Sequence, residues 1–362
     1  MDNSNNMNEN KNNLLPWSEK YRPSNIDSII YHDKITKSIV NFLSVGKLPH
    51  LLFYGPPGSG KTSLILAIAK QYYKSDFDNM IMVLNASEER GIETVRNRIK
   101  QFAISYGFCE NKNTPSFKLI ILDEIDAMTD DAQAILRKVI EKYVNNVRFC
   151  FICNYLKKIN PAIQSRCVIF RFNPIPFDNM YSFIKKICSS EKMIITKKSI
   201  ELIIKHSNGD MRKLLNVLQS LHMYINIDNT NNDDDSISNY SNKSNDEYDI
   251  VIRENVVSKL LSCPTGKNII DILNYLQTKK LNESFECIHK IVVNNGISLL
   301  ELINNIYDFL MDNLINDNTI YVKYPKNKIV DIIKKISTIN ENLTYCNNEN
   351  IQLYSFVSIF YI

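Results

Sequence analysis

The stretch "HLLFYGPPGSGKTS", residues 50–63, runs from an apolar segment into a glycine-rich turn and then into the helical pattern "SLILAIAKQYY". It matches G-x-x-x-x-G-K-[ST] at Gly55, Gly60, Lys61 and Thr62. The chain has nine glycines in 362 residues, and Gly55, Gly58 and Gly60 crowd into this one turn. Phosphate chemistry asks for such a pattern. Glycines let backbone N–H groups turn inward around phosphate oxygens. The start of the helix adds a favourable dipole, the lysine reaches the β- and γ-phosphates, and the hydroxyl ligates Mg2+. Gly55, Pro56, Pro57, Gly58, Ser59, Gly60, Lys61, Thr62 and Ser63 are therefore the candidate ATP-binding loop. The plainer alternative is a glycine turn that only starts a helix.

Working outward, the apolar runs "MIMVLN" (80–85), "KLIILD" (118–123), "VRFCFICN" (147–154) and "VIFRF" (168–172) alternate with helical patterns. Continuous apolar runs in that arrangement predict parallel strands covered on both faces. The clearest helix is "DDAQAILRKVIEKY", 130–143, whose Ala132, Ile135, Leu136, Val139, Ile140 and Tyr143 form one stripe. Such open sheets collect ligands at the C-terminal edge of their strands. Asp123 ends a strand there and is placed to hold Mg2+ through water. Glu124 beside it is placed to polarise an attacking water. Asn154 closes the next run, where its amide would position that water; a strand-ending turn residue is the blander reading.

Two arginines stand apart. Arg212, in "NGDMRKLL", falls in the first turn of a helix, where the dipole disfavours a cation. A phosphate partner explains that placement, and so does a solvated surface charge. Arg166, in "NPAIQSRCVIFR" (160–171), has no acidic residue within ten positions on either side. It is either a surface charge or is aimed at something outside its own segment.

The bulk numbers exclude several classes. No apolar run reaches the ~20 residues that span a bilayer, and "MDNSNNMNENKNN" has no apolar core of a secretory signal. That segment, 1–13, is expected to be a disordered tail. The eight cysteines follow no framework spacing. Cys150 and Cys153 form a C-x-x-C inside an apolar run, where their odd offset puts the thiols on opposite strand faces, so core packing outweighs a metal or redox role. The five histidines, His32, His50, His206, His222 and His289, do not cluster. Net charge is +4, yet 226–249 sets seven acids against Lys243, which leaves the rest near +10. A moderately basic body with an acidic Asn/Ser-rich insert is compatible with a DNA-facing surface.

From Asn173 the strand signals fade. "TKKSIELIIKHSNGD" predicts a helix capped by Thr196 and stopped near Asn208-Gly209, with Asp210 capping the next one. The low-complexity stretch 226–249 is expected to be a disordered loop. The expected fold is an α/β domain with a parallel sheet over 14–172, a small helical lid over 173–225, the insert at 226–249, and an all-α domain over 250–362.

"LPWSEKYRPSNIDSII", "LPHLLFYGPPGSGKTS", "LNASEERGIETVRNRIKQFA", "LIILDEIDAMTDDAQAILRKVIEKY", "RFCFICNYLKKINPAIQSRC" and "NGDMRKLLNVLQS" together resemble the small subunits of replication factor C, the eukaryotic clamp loader of the AAA+ superfamily. The resemblance covers roughly 14–225 with specific motifs and 251–310 more loosely. It implies a nuclear five-subunit spiral, one large and four small subunits, with a C-terminal collar as oligomerisation domain. With ATP and Mg2+ bound, that spiral opens a sliding clamp and places it on primer–template DNA, and hydrolysis releases the loader. By resemblance, Gly55 to Ser63 form the P-loop, Asp123 is the Mg2+-associated acid and Glu124 the catalytic base. Asn154 and Arg212 match the two sensors, and Tyr21, Arg22 and Pro23 pack against the adenine side. Arg166, within Ser165-Arg166-Cys167, matches the finger that reaches the neighbouring subunit's ATP site; a surface or intrachain salt-bridging arginine is the alternative. Arg90, Arg96 and Lys158 match positions that track DNA phosphates rather than bases. Two departures stand out: Ile125 replaces a usually smaller residue, and the acidic insert is atypical.

Two other readings compete. A branch-migration motor or replication initiator usually carries a winged helix at its C-terminus, whereas 251–362 reads as helical. A subunit that binds ATP without hydrolysing it would be signalled by loss of Lys61 or Glu124, and both are present.

Overall fold

In the computed structural model of the chain, the described residues are 15–87, 92–105, 117–228, 251–316, 324–345 and 348–361. The sequence-predicted tail 1–13 and residues 229–249 of the acidic insert lie outside them. The chain divides into two units: residues 1–191 with 203–224, and residues 192–202 with 225–362.

The first unit is built on five strands, β1 (His50–Tyr54), β2 (Ile81–Asn85), β3 (Lys118–Asp123), β4 (Val147–Cys153) and β5 (Cys167–Arg171), in the order β2-β3-β4-β1-β5. All the pairings are parallel. The three central strands are covered on both faces because nearly every residue in them is apolar. Leu51, Phe53, Leu119, Ile121, Cys150 and Ile152 share one buried cluster with Leu64, Ile65 and Ile68 of the helix Lys61–Tyr73. Leu52, Ile120, Leu122, Phe149, Phe151 and Cys153 share the other with Leu136, Val139 and Ile140 of the helix Asp130–Lys142. Cys150 and Cys153 therefore point to opposite faces, and burial holds both thiols above their ordinary pKa, Cys153 at about 12. They are core residues.

The outer strands depart from the prediction of two covered faces. Val168 and Ile169 of β5 are exposed, as is Val83 of β2. An edge strand has one neighbour and lies where the covering helices run out, so an apolar run alone does not bury it.

Thr129 Oγ1 caps the helix Asp130–Lys142 by accepting from the Ala132 N–H at 3.4 Å. Asp210 does the same for the helix Met211–Asp228, accepting from the N–H groups of Arg212 (2.8 Å) and Lys213 (3.3 Å). Before it, Asn208 and Gly209 take φ of 49° and 82°, the left-handed turn that stops the preceding helix.

Among the described residues, the second unit is helical except for one short ladder. Helices Gly266–Thr278, Leu281–Asn295, Leu299–Asn316, Lys326–Tyr345 and Glu349–Ile359 bury a single core that includes Ile272, Leu302, Ile306, Leu310, Ile332, Phe356 and Val357. The ladder pairs Ile194–Ile195 with Val251–Ile252 in parallel, tying together the chain on either side of the insert. The Thr196 N–H and the Ser199 hydroxyl both donate to the Ile252 carbonyl. Two residues are too few to show a strand period, so this pairing left no signal in the sequence. No helix among the described residues is long and apolar enough to cross a membrane.

Candidate nucleotide-binding site

The P-loop links β1 to the helix Lys61–Tyr73 at the C-terminal edge of the sheet. Two of its glycines are fixed by close approach. At Gly55 a Cβ would lie 2.2 Å from the Phe172 carbonyl oxygen, and at Gly58, with φ of 66°, it would lie 1.8 Å from Asp210 Oδ1. Gly60 holds a φ of 91° immediately before the helix.

Lys61 is buried, and its Nζ donates to the carbonyls of Gly55 (2.9 Å) and Pro56 (2.8 Å) and to Asn154 Oδ1 (3.0 Å). Burial lowers its pKa from the ordinary lysine value, and the nearby Asp123 charge opposes the shift. Thr62 Oγ1 donates to Asp123 Oδ2 at 2.7 Å, and the Glu124 N–H donates to the other carboxylate oxygen at 2.9 Å. Hydroxyl and carboxylate oxygens are the hard donors that Mg2+ takes, so Thr62 and Asp123 fit that ion.

Glu124 is exposed and sits at φ 55°, ψ 37°. A non-glycine residue held left-handed is strained, and such strain gathers where a side chain must be aimed. Here the turn carries the carboxylate out of the apolar β3 direction toward the cleft. Asn154 is held by its backbone: its N–H and that of Tyr155 both donate to Asp126 Oδ2 at 3.2 Å. Register explains the convergence, since β3, β4 and β1 end together, with Tyr54 opposite Cys153 and Leu122 opposite Phe151.

One cleft is lined by the loop residues Pro57 to Ser63, by Asp123, Glu124 and Asn154, and by Tyr21, Arg22, Pro23 and Arg212. Gly55 and Pro56 serve from outside it through their carbonyls on Lys61. The Tyr21 hydroxyl and Lys20 Nζ both donate to Glu191, and Trp17 N–H donates to Gln219 Oε1, which fastens the segment 17–23 over the cleft. Arg22 pairs with Glu19 at 2.9 Å.

Arg166 lies elsewhere. Its Nη2 donates to Glu141 Oε1 at 2.6 Å and its Nη1 to the Ala162 carbonyl at 2.6 Å. It therefore has a partner within the chain, which its sequence neighbourhood concealed because Glu141 is 25 positions away. The Arg137 hydrogen bond and the Arg166 charge hold the Glu141 carboxyl below its ordinary pKa. Lys158 is exposed, with its ammonium 5.3 Å from the Tyr155 ring centre. Arg90 and the side chain of Arg96 lie outside the described residues.

Several residues that hold these side chains carry little or no signal of it in the sequence. Asp126 lies in the same "DEID" run as Asp123 and was legible as a third acid in reach of the strand edge. Gln133 is buried in the middle of a helical stripe; it accepts from the Asn160 N–H at 2.7 Å and donates to the Lys158 carbonyl at 3.0 Å. His32, Glu141 and Glu191 carry no local signal, because each meets its partner only in the fold.

Residues 51–175 match the family described as ATPase family associated with various cellular activities (AAA), and residues 264–358 match the Replication factor C C-terminal domain. A protein described as probable replication factor C subunit 5 from Dictyostelium discoideum is 39% identical over 346 residues, covering 96% of this chain and 90% of that protein. Human replication factor C subunit 5 is 36% identical, with 96% and 92% covered. Subunit 3 of Saccharomyces cerevisiae is 37% identical, with 93% and 90% covered. Among solved structures, a point variant of Thermotoga maritima RuvB superposes with a TM-score of 0.50 at 17% identity, over 77% of this chain and 86% of that one, a likeness of fold alone.

Proposed function

The chain belongs to the replication factor C subunit family of AAA ATPases, and on that premise we propose how its residues divide the work of a clamp-loader ATPase subunit. The subunit binds nucleotide and hydrolyses ATP, and it works with other replication factor C subunits. The observation that carries the assignment is the meeting of Lys61, Thr62, Asp123 and Asn154 at one strand edge, joined by bonds of 2.7–3.0 Å.

In this reading the backbone N–H groups of Gly58 to Thr62 and the helix start receive the phosphates. Lys61, already desolvated, exchanges its carbonyl contacts for the β- and γ-phosphate oxygens. Thr62 and Asp123 hold Mg2+, which when bound neutralises phosphate charge. Glu124 orients and polarises the attacking water, and Asn154, kept in place by Asp126, fixes that water against the γ-phosphate. Tyr21, Arg22 and Pro23 cover the adenine side, and Arg212 approaches the phosphates from the helix Met211–Asp228. Arg166 is the cation lent to the neighbouring subunit's site.

The substrates beyond ATP follow from the family. The complex opens a sliding clamp and sets it on primer–template DNA in the nucleus, and Arg90, Arg96 and Lys158 supply sequence-independent phosphate contacts. Two variants test the site. Lys61→Ala should abolish ATP binding by the full chain, and Glu124→Gln should bind ATP while hydrolysis at this site falls by roughly 10²–10⁴. Normal ATP affinity in Lys61→Ala would remove the P-loop from the assignment.

A further inference from the structure

We propose that His32 is a positioning residue that sets the P-loop for phosphate, through a hydrogen bond from its ring to the Ser59 carbonyl. The proposal rests on the phosphate-binding reading of residues 55–62.

His32 precedes the helix Asp33–Ser44 with φ 78° and ψ 32°. Histidine tolerates that left-handed region better than most residues, but it is still uncommon there, and such a conformation persists only when its surroundings impose it. Helix capping does not explain the choice of residue. Asn, Ser or Asp at this place would accept from the first helical N–H groups, whereas the His32 side chain makes no cap bond.

The ring goes the other way. It packs against Tyr31 and Phe172, with centroids 4.5 and 4.6 Å away, and its Nε2 is 3.2 Å from Ser59 O. A carbonyl only accepts, so this contact makes Nε2 the protonated nitrogen. Burial lowers the ring's pKa, which favours the neutral form with a single N–H.

The consequence follows from peptide geometry. Ser59 C=O and Gly60 N–H belong to one planar unit, and no peptide among the described residues is cis, so the two groups point in opposite directions. Fixing the carbonyl on His32 therefore fixes the direction of the Gly60 N–H, one of the loop donors. Gly60, at φ 91°, has the backbone freedom that makes such a restraint necessary. Phe172 braces the loop's other end, since its carbonyl abuts Gly55 while its ring supports His32.

The test is equilibrium binding of Mg·ATP to the full chain. His32→Phe keeps an aromatic ring without a donor, and His32→Asn keeps a residue suited to the left-handed turn but too short to reach Ser59. Each should weaken binding about three- to tenfold, the loss of one neutral hydrogen bond. His32→Gln restores a donor and should recover most of that affinity. In the assembled complex the loss should fall on KM more than on kcat. Unchanged affinity in His32→Phe and His32→Asn overturns the proposal. So does a His32→Gln variant that binds no better than His32→Phe, since packing alone would then account for the ring. If the Phe variant does not fold, the Asn and Gln pair makes the same comparison. Lys61→Ala separates the two levels: retained ATP binding there refutes the phosphate site itself, whereas lost binding with silent His32 variants refutes only this inference.

Discussion

Gly58→Ala measures how tightly the P-loop is locked to the cap of the helix Met211–Asp228. A Cβ on Gly58 would meet Asp210 Oδ1 at 1.8 Å and Asp210 Cγ at 2.4 Å, so the carboxylate must leave. It then gives up its bonds to the Arg212 and Lys213 N–H groups, a cap worth about 1 kcal/mol. Alanine at φ 66° adds about 1–2 kcal/mol for the left-handed backbone. Together the substitution should cost about 2–3 kcal/mol of stability. Asp210→Ala alone should cost about 1 kcal/mol, because only the cap is lost. With the carboxylate already gone, Gly58→Ala keeps its left-handed cost of about 1–2 kcal/mol and a tight 3.0 Å approach to the Asp210 Cα that both backgrounds share, so the pair falls short of additivity by about 1 kcal/mol, the cap counted once. Urea unfolding of the nucleotide-free chain and its three variants gives the cycle, provided the slope is unchanged among them. Additivity within about 0.5 kcal/mol would show that the two residues do not compete for one space.

Arg166→Ala should leave ATP binding by this chain intact and slow hydrolysis at the adjacent subunit, by up to ~10³–10⁵ if the finger acts alone there; single-turnover assays on complexes carrying one active site would show it. Impaired binding at the chain's own site would instead make Arg166 a local residue. Glu191 gives a pH signature: burial alone would raise its pKa, but hydrogen bonds from Lys20 and Tyr21 hold it below the ordinary carboxylate value. A carboxylate lowered in the folded state contributes stability that is complete above its unfolded pKa and is lost as pH falls through the folded one. Glu191→Gln should therefore flatten the acid limb of the stability profile, and an unchanged limb would rule the cluster out. Charge reversal at Arg90, Arg96 and Lys158 should weaken DNA binding without changing sequence preference, and it should reduce the salt slope of binding by about one for each phosphate contact removed.

What the sequence made legible divides along a physical line. Local patterns carried the loop, the strand-ending acids and the caps at Thr196 and Asp210, because each rests on residues within a few positions of one another. Three kinds of feature escaped. The ladder at 194–195 and 251–252 is too short to show a period. The edges of the sheet are apolar in sequence yet exposed in the fold, since burial depends on neighbours that a strand pattern does not encode. Partners distant in the chain also left no trace, among them His32 on Ser59 and Lys20 with Tyr21 on Glu191.

Sheet polarity limits where Arg166 can act within its own chain. The residue immediately precedes β5, and His50, the first residue of β1, pairs with Cys167, so Arg166 stands at the N-terminal edge of a parallel sheet. Asp123, Glu124 and Asn154 stand at the opposite edge. The five residues of β5 separate the two edges by about 16 Å at ~3.3 Å per residue. A side-chain rotation that frees Arg166 from Glu141 therefore does not bring it to its own phosphate site. Among the described residues, the cations that line that cleft are Arg22, Lys61 and Arg212. The bond to Glu141 joins two partly exposed groups, and pairs of this kind are held weakly in water, so the guanidinium can leave the carboxylate at little cost. The polarity of the sheet thus takes Arg166 out of the chain's own phosphate site and is compatible with the proposed role in trans. It also assigns Glu141 the place where the guanidinium rests in the isolated chain.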